Sequence, residues 1–264
     1  MDSCPDWNAS AYHRVSAPQT AWGREVVERL QLAGDETVLD AGCGTGKLSR
    51  FLAERVPRGR VIALDASADM LRVAGQQLSD LGNRVQLLQA SLPVLPALGP
   101  VDAILSTATL HWVLDHPATY RALLAVSRPG GQLEFQCGGA GNLQRLHARA
   151  SALAATKPYA DAFRDWKEPW CLATAEETEA QLRAAGWTRV RSWLEPRPTP
   201  FADAAAFADF IGSVNLRPFL ERLSAEQAQA FTAALVEAAA QDEPAFVLDY
   251  VRLNASAWAP EELG

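Results

Sequence analysis

Cysteine is sparse in this chain. Cys4, Cys43, Cys137 and Cys171 lie far apart with no C-x-x-C pair, a spacing that excludes a thiolate zinc centre or a disulfide framework and points to the cytoplasm. No histidine or acidic cluster has ligand spacing either, so no metal is expected. Long apolar runs are also missing. None approaches the roughly 18 residues that a spanning helix needs, and Met1 to Arg14 carries no charged-then-apolar leader pattern, so no membrane partner is expected. Basic surplus is lacking too: 24 Lys and Arg face 31 Asp and Glu, a net charge of −7. Nucleic acid is therefore not an expected partner, because phosphate binding draws on excess Lys and Arg. There are no internal repeats, and the sole Pro-rich turn is Pro196 to Pro200.

What is present is a globular composition, 48% apolar over 264 residues. That length suits one α/β domain with an accessory helical piece. Short apolar runs alternate with helical periodicity: Val38-Leu39, Arg60 to Asp65, Val85 to Leu88, Val101 to Leu105 and Gln132 to Cys137 read as strands. Helices are expected from Gln19 to Leu32, from Lys47 to Arg55, after the N-cap Ser67, and from Pro117. Such alternation implies a parallel sheet covered on both faces, which binds ligands at the carboxyl ends of its strands. Beyond Gly138-Gly139 the pattern becomes mostly helical, with a strand from Trp187 to Trp193 and a last strand from Ala245 to Leu253.

The stretch that organises the rest is Val38-Leu39-Asp40-Ala41-Gly42-Cys43-Gly44-Thr45-Gly46, a strand running into a glycine loop and a helix. A dinucleotide loop would be spaced G-x-G-x-x-G. Here Lys47 takes the last glycine's place, and the acidic Asp40 would repel phosphate but accept hydrogen bonds from an ammonium group. The loop favours a nucleoside with a cationic tail over a nicotinamide dinucleotide. Asp65, some twenty residues on, stands where an acid accepts ribose hydroxyls.

Asp40 to Gly46 resembles the first motif of the class I S-adenosylmethionine-dependent methyltransferases. The resemblance implies a Rossmann-like α/β fold, with a seven-stranded, mostly parallel sheet, an antiparallel final strand, helices on both faces and a helical cap. It implies an N-terminal arm and helix over the active site in residues 1–34, an S-adenosylmethionine-binding core in 35–140, and the remaining strands with the inserted cap in 141–264. The residues expected at the donor are Asp40, Gly42, Cys43, Gly44, Gly46, Asp65, Ala66, Met70, Ala90, Ser91, Leu92 and Ser106. One departure stands out: where the family carries an acid for the adenine amino group, this chain reads Gln89-Ala90-Ser91-Leu92.

After the fourth strand, Leu110-His111-Trp112-Val113 resembles a branch of small-molecule carboxyl methyltransferases that includes the trans-aconitate, juvenile hormone acid and malonyl-carrier-protein enzymes. That resemblance implies an indole at Trp112 beside the acceptor carboxylate, with Tyr12 and Gln19 of the arm helping to hold it. Asn215-Leu216-Arg217-Pro218-Phe219-Leu220 resembles a trans-aconitate methyltransferase segment, and Arg217 would suit a second carboxylate. A carboxylate is ionised at pH 7 and needs no strong base, only donors that orient one oxygen. The expected reaction is methyl-ester formation on a small-molecule acid with Gln19, His111 and Trp112 at its centre. Two alternatives stay open: methylation of a phenol, amine or carbon with His111 as base, and a module that binds S-adenosylmethionine without turnover.

Overall fold

The computed structural model describes residues 17–262. Tyr12 lies outside them. The chain divides into two compact units, one comprising residues up to Ala140, Trp170–Glu195 and those from Arg252 onward, the other comprising Gly141–Pro169 and Pro196–Val251.

The first unit begins with helix α1 (Ala17–Arg29), followed by β1 (Thr37–Ala41), α2 (Lys47–Arg55), β2 (Arg60–Asp65), α3 (Ala68–Leu78), β3 (Val85–Gln89), β4 (Val101–Thr107), α4 (His116–Ala125) and β5 (Ser127–Gly138). Its single sheet takes later strands as well. With α6 (Ala175–Ala184), β6 (Thr188–Pro196) and β9 (Val251–Trp258), the seven strands lie in the order β3-β2-β1-β4-β5-β9-β6. β1 to β5 are parallel and β9 is antiparallel to β5, as expected for the class I methyltransferase sheet. β1 is buried along its whole length, which is why it reads as an apolar run without alternation. Ser67 caps α3 as predicted, accepting from the Met70 N–H; α4, expected to open at Pro117, is capped by Asp115, which accepts from the Ala118 N–H one residue before the helix start. α1 and α2 cover one face of the sheet. Val26, Val27 and Leu30 pack with Leu48, Leu52, Val38 and Leu105 in that core; on the other face Leu123, Leu182 and Trp187 join Leu39, Ile104 and Phe135.

The last strand corrects the sequence reading. It runs from Val251 to Trp258 instead of Ala245 to Leu253, while the preceding β8 (Val247–Leu248) pairs with β7 (Thr199–Pro200) in a separate ribbon. The cause is physical: Arg252, Asn254 and Ser256 face a polar layer on the sheet, so the true strand lacks the apolar run that marks the other strands.

The second unit holds α5 (Gln144–Ala154), α7 (Ala204–Phe210), a π-turn (Ile211–Asn215), α8 (Arg217–Leu220) and α9 (Ala225–Ala240). Its core is aromatic. Phe163 and Phe219 each stack on Phe231 and meet each other tilted, and Tyr159 meets Phe231 edge-on at 5.1 Å.

Candidate functional site

The carboxyl ends of β1, β2, β3 and β4 bring the predicted donor residues together within the first unit. At the glycine loop the backbone turns back on itself, with the Gly42 and Cys43 N–H groups both donating to the Leu64 carbonyl (2.7 and 2.8 Å). Two glycines here do different work. Gly42 (φ +87°) is packed from within, since a Cβ there would strike the Thr109 side chain, whereas a Cβ on Gly44 (φ +54°) would meet nothing within 4 Å. Gly44 is thus the position whose missing side chain leaves room for a ligand.

Two carboxylates flank that space. Asp40 is buried and accepts from Ser49 Oγ at 2.6 Å. Its desolvation pushes the carboxyl up to about 7, the Ser49 hydrogen bond opposing this and the charge of Asp65 adding to it. Asp65 accepts from the Gly44 N–H (2.8 Å) through one oxygen and from the Ser67 N–H (2.9 Å) through the other. Burial raises its pKa against those bonds. Each oxygen keeps acceptor capacity for a hydroxyl. The Cys43 thiol is held well above its ordinary pKa, by burial first and then by Asp40 and Asp65, so it stays a thiol beside an electrophilic ligand.

The remaining donor-side residues are supports of several kinds. Ala90 donates its N–H to the Asp65 carbonyl (3.1 Å). Ser91 is exposed, its hydroxyl turned to the Leu92 carbonyl. Gln89 is the side chain of this turn that reaches the Asp65–Ala66 segment, donating to the Ala66 carbonyl at 3.2 Å. Met70 is buried on α3. Ser106 is fully buried and gives its hydroxyl to the Ala41 carbonyl (2.7 Å), bracing the loop from behind. A loop open at Gly44, two acids and no phosphate-binding cluster fit a cationic nucleoside such as S-adenosylmethionine: Asp65 would hold its ribose and Asp40 would face its ammonium group.

Past β4 the chain enters a strained corner. Ala108 adopts a left-handed φ of +52°, which costs a non-glycine residue roughly 1–2 kcal/mol; its N–H is secured by the Gln136 carbonyl. The single turn Leu110–Trp112 follows. It is pinned from three sides. Buried His116 holds the Leu110 carbonyl through Nε2 (2.9 Å), the Cys171 N–H donates to the His111 carbonyl (2.8 Å), and the Gly138 N–H reaches His111 Nδ1 (3.4 Å). An Nδ1 that accepts a hydrogen bond leaves the ring proton on Nε2, so His111 presents a donor there. Trp112 lies beside it, 5.1 Å between rings, with Trp170 edge-on at 6.2 Å.

Gln19 occupies the first turn of α1. One turn later Trp22 meets the Arg252 guanidinium at 5.3 Å, and Arg252 is the register partner of Gly138, while Arg29 at the other end meets Glu134. α1 therefore runs antiparallel to β5 and carries Gln19 toward the end of the sheet where His111 stands. Arg217 sits in the second unit, its Nε donating to Glu221 at 2.5 Å. Sequence reasoning missed Ser49, Thr109, His116 and Gly138. Only Ser49 had a usable signal, three residues beyond the last loop glycine and one helical turn away.

Among the described residues no group of His, Cys, Asp and Glu is placed to hold a metal, and no helix is long and apolar enough to cross a membrane. A family model described as a methyltransferase domain matches residues 38–131. The trans-aconitate 2-methyltransferase of Azoarcus sp. (strain BH72) is 30% identical over 240 residues, 87% of this chain and 88% of that protein; that of Methylobacterium radiotolerans is 32% identical over 236 residues, 88% of each. Among solved structures, Haemonchus contortus phosphoethanolamine N-methyltransferase 2 in complex with S-adenosyl-L-methionine shares the fold at a TM-score of 0.61 and 15% identity, covering 96% of this chain and 56% of that one. The [4+2]-cyclase SpnF shares it at 0.58 and 21%, covering 92% and 82%. With a glycine loop and acids suited to the donor, and relatives matched over nearly their whole length, this chain belongs to the trans-aconitate 2-methyltransferase family of S-adenosylmethionine-dependent methyltransferases.

Proposed function

We propose that the acceptor is a small-molecule polycarboxylic acid of the trans-aconitate kind, esterified on one carboxylate in the cytoplasm. The observation that carries this is the contact at His111 Nδ1, which accepts from the Gly138 N–H at 3.4 Å. A ring whose Nδ1 accepts from the Gly138 N–H offers an N–H at Nε2, and beside it stands the indole of Trp112. Two donors of this kind orient an oxygen that is already ionised and do not deprotonate one that is not. S-adenosylmethionine, when bound, supplies an activated methyl group. The chain's part is to hold the carboxylate oxygen in line with that methyl and to exclude water. Gln19 adds an amide donor from α1. Donors that are not charged leave the oxygen nucleophilic, whereas a guanidinium on it would draw its charge away. The names of the relatives support the polyacid, and the free Cys43, Cys137 and Cys171 suit a reducing compartment.

The test is transfer of labelled methyl to polycarboxylic acids, long-chain acids, phenols and amines, followed by alkali. Label released as methanol from a polycarboxylate product is the expected result. Alkali-stable label would overturn the ester and move the reaction to base-assisted chemistry. Gln19→Ala is expected to lower turnover at least tenfold while leaving donor affinity unchanged, measured by initial rates and calorimetry.

A further inference from the structure

Sheets covered by helices are ordinarily apolar on both faces, yet one face of β5 and β9 is polar. Gln132, Glu134 and Gln136 alternate along β5, and Ser256 and Asn254 stand opposite Glu134 and Gln136 on β9. Glu134 is 1% exposed and Asn254 is fully buried. The last residue of α1 closes this layer. Arg29 donates through Nε to Glu134 (2.8 Å) and through Nη1 to Asn254 Oδ1 (3.1 Å). Gln132 donates to the Arg29 carbonyl (3.1 Å) and to Glu134 (2.9 Å), and accepts from the Gln31 N–H (2.9 Å). Ser256 Oγ donates to Glu134 at 2.8 Å, Gln136 donates to Asn254 at 3.0 Å, and the Arg29 guanidinium lies 5.0 Å from the Trp193 ring.

Burying an ion pair is a poor way to gain stability, because desolvation offsets most of the attraction and an apolar pair of equal volume does as well or better. What an apolar contact lacks is a fixed register. A helix resting on Val and Leu alone can slide or roll with little penalty; one whose terminal side chain and carbonyl are bonded to two alternate residues of one strand cannot. Gln19 lies ten residues before Arg29 on the same helix, about 15 Å along its axis, so a shift at Arg29 moves Gln19 as a rigid arm.

We infer that Arg29 and Glu134 are positioning residues for methyl transfer, fixing α1 on the sheet and through it the amide of Gln19 at the acceptor. This rests on the proposed role of Gln19. The donor loop hangs from β1 and β2, so donor binding is independent of the pair.

The experiment compares Arg29→Met/Glu134→Met with the parent for melting temperature, donor affinity, kcat and acceptor KM. The expected result is a melting temperature within a few degrees of the parent and unchanged donor affinity, with kcat lowered at least tenfold and KM raised. Parent kcat and KM in the folded double variant overturn the inference. Should that variant not fold, Arg29→Lys reads the same quantities, because a lysine keeps the charge opposite Glu134 and loses the second donor. A partial loss of kcat at parent stability supports positioning, and parent kinetics overturn it. Gln19→Ala separates the two levels. If it is impaired while the network variants are not, this inference alone fails; if it has parent kinetics, the role of Gln19 and the inference fall together, whichever product the alkali test identifies.

Discussion

Asp40 sits under conflicting demands: an ammonium group facing it, as the fit to the donor requires, would call for an anion, while its burial opposes one. In the unfolded chain it titrates near the ordinary value of 3.8, in the fold near 7. A raised folded pKa means that the native state keeps a proton the unfolded chain has lost, so stability falls as pH climbs from 4 to 7 and is level above. Asp40→Asn does not titrate. Its stability relative to the parent is expected to increase by about 4 kcal/mol between pH 4 and pH 8, read by urea unfolding at both; a gap independent of pH would refute the assignment. Gly44→Val is expected to weaken donor binding at least a hundredfold by calorimetry while the chain stays folded, because a Cβ added at position 44 would point into open space. Both residues were legible as members of a motif. What the sequence could not show is that the three glycines differ, since Gly42 answers to Thr109, which is 67 positions away.

Elements were read well where one period ruled. α2 spans Lys47–Arg55 as predicted, and α3 starts at its expected cap Ser67, while α6 and α9 start at Thr174 and Ser224 with full capping boxes. Legibility failed where tertiary partners set the pattern. β9 is polar because it faces Arg29 and Glu134, and the π-turn Ile211–Asn215 carries no local signature. The turn Leu110–Trp112 was legible as a motif but not as a structure, because its rigidity comes from His116 and Cys171 outside it. His116→Ala strips the Leu110 carbonyl of its partner and opens a cavity. It is expected to cost about 3 kcal/mol and to raise acceptor KM without altering donor affinity, while His116→Asn recovers part of the loss. Unchanged KM in a destabilised variant would make the ring a structural prop only.

At the scale of the whole molecule, the donor machinery and the aromatic core belong to different units. Phe231, fully buried among Tyr159, Phe163 and Phe219, is expected to cost about 4 kcal/mol when truncated to Ala. Donor affinity should persist at temperatures where the protein remains folded; its loss in proportion to stability would show the units to be energetically inseparable. The sequence displayed the break after Gly139 and a last strand returning after the helical insertion, but placed that strand at Ala245 to Leu253, where it is Val251–Trp258. That return governs how the protein is made. β9 emerges from the ribosome after the other strands of this sheet yet lies between β5 and β6, so the sheet stays split, with two unpaired edges, until residues 251–258 have been made. Nascent chains expose those edges to one another, which makes polysome crowding and truncated translation products the natural hazards of this topology.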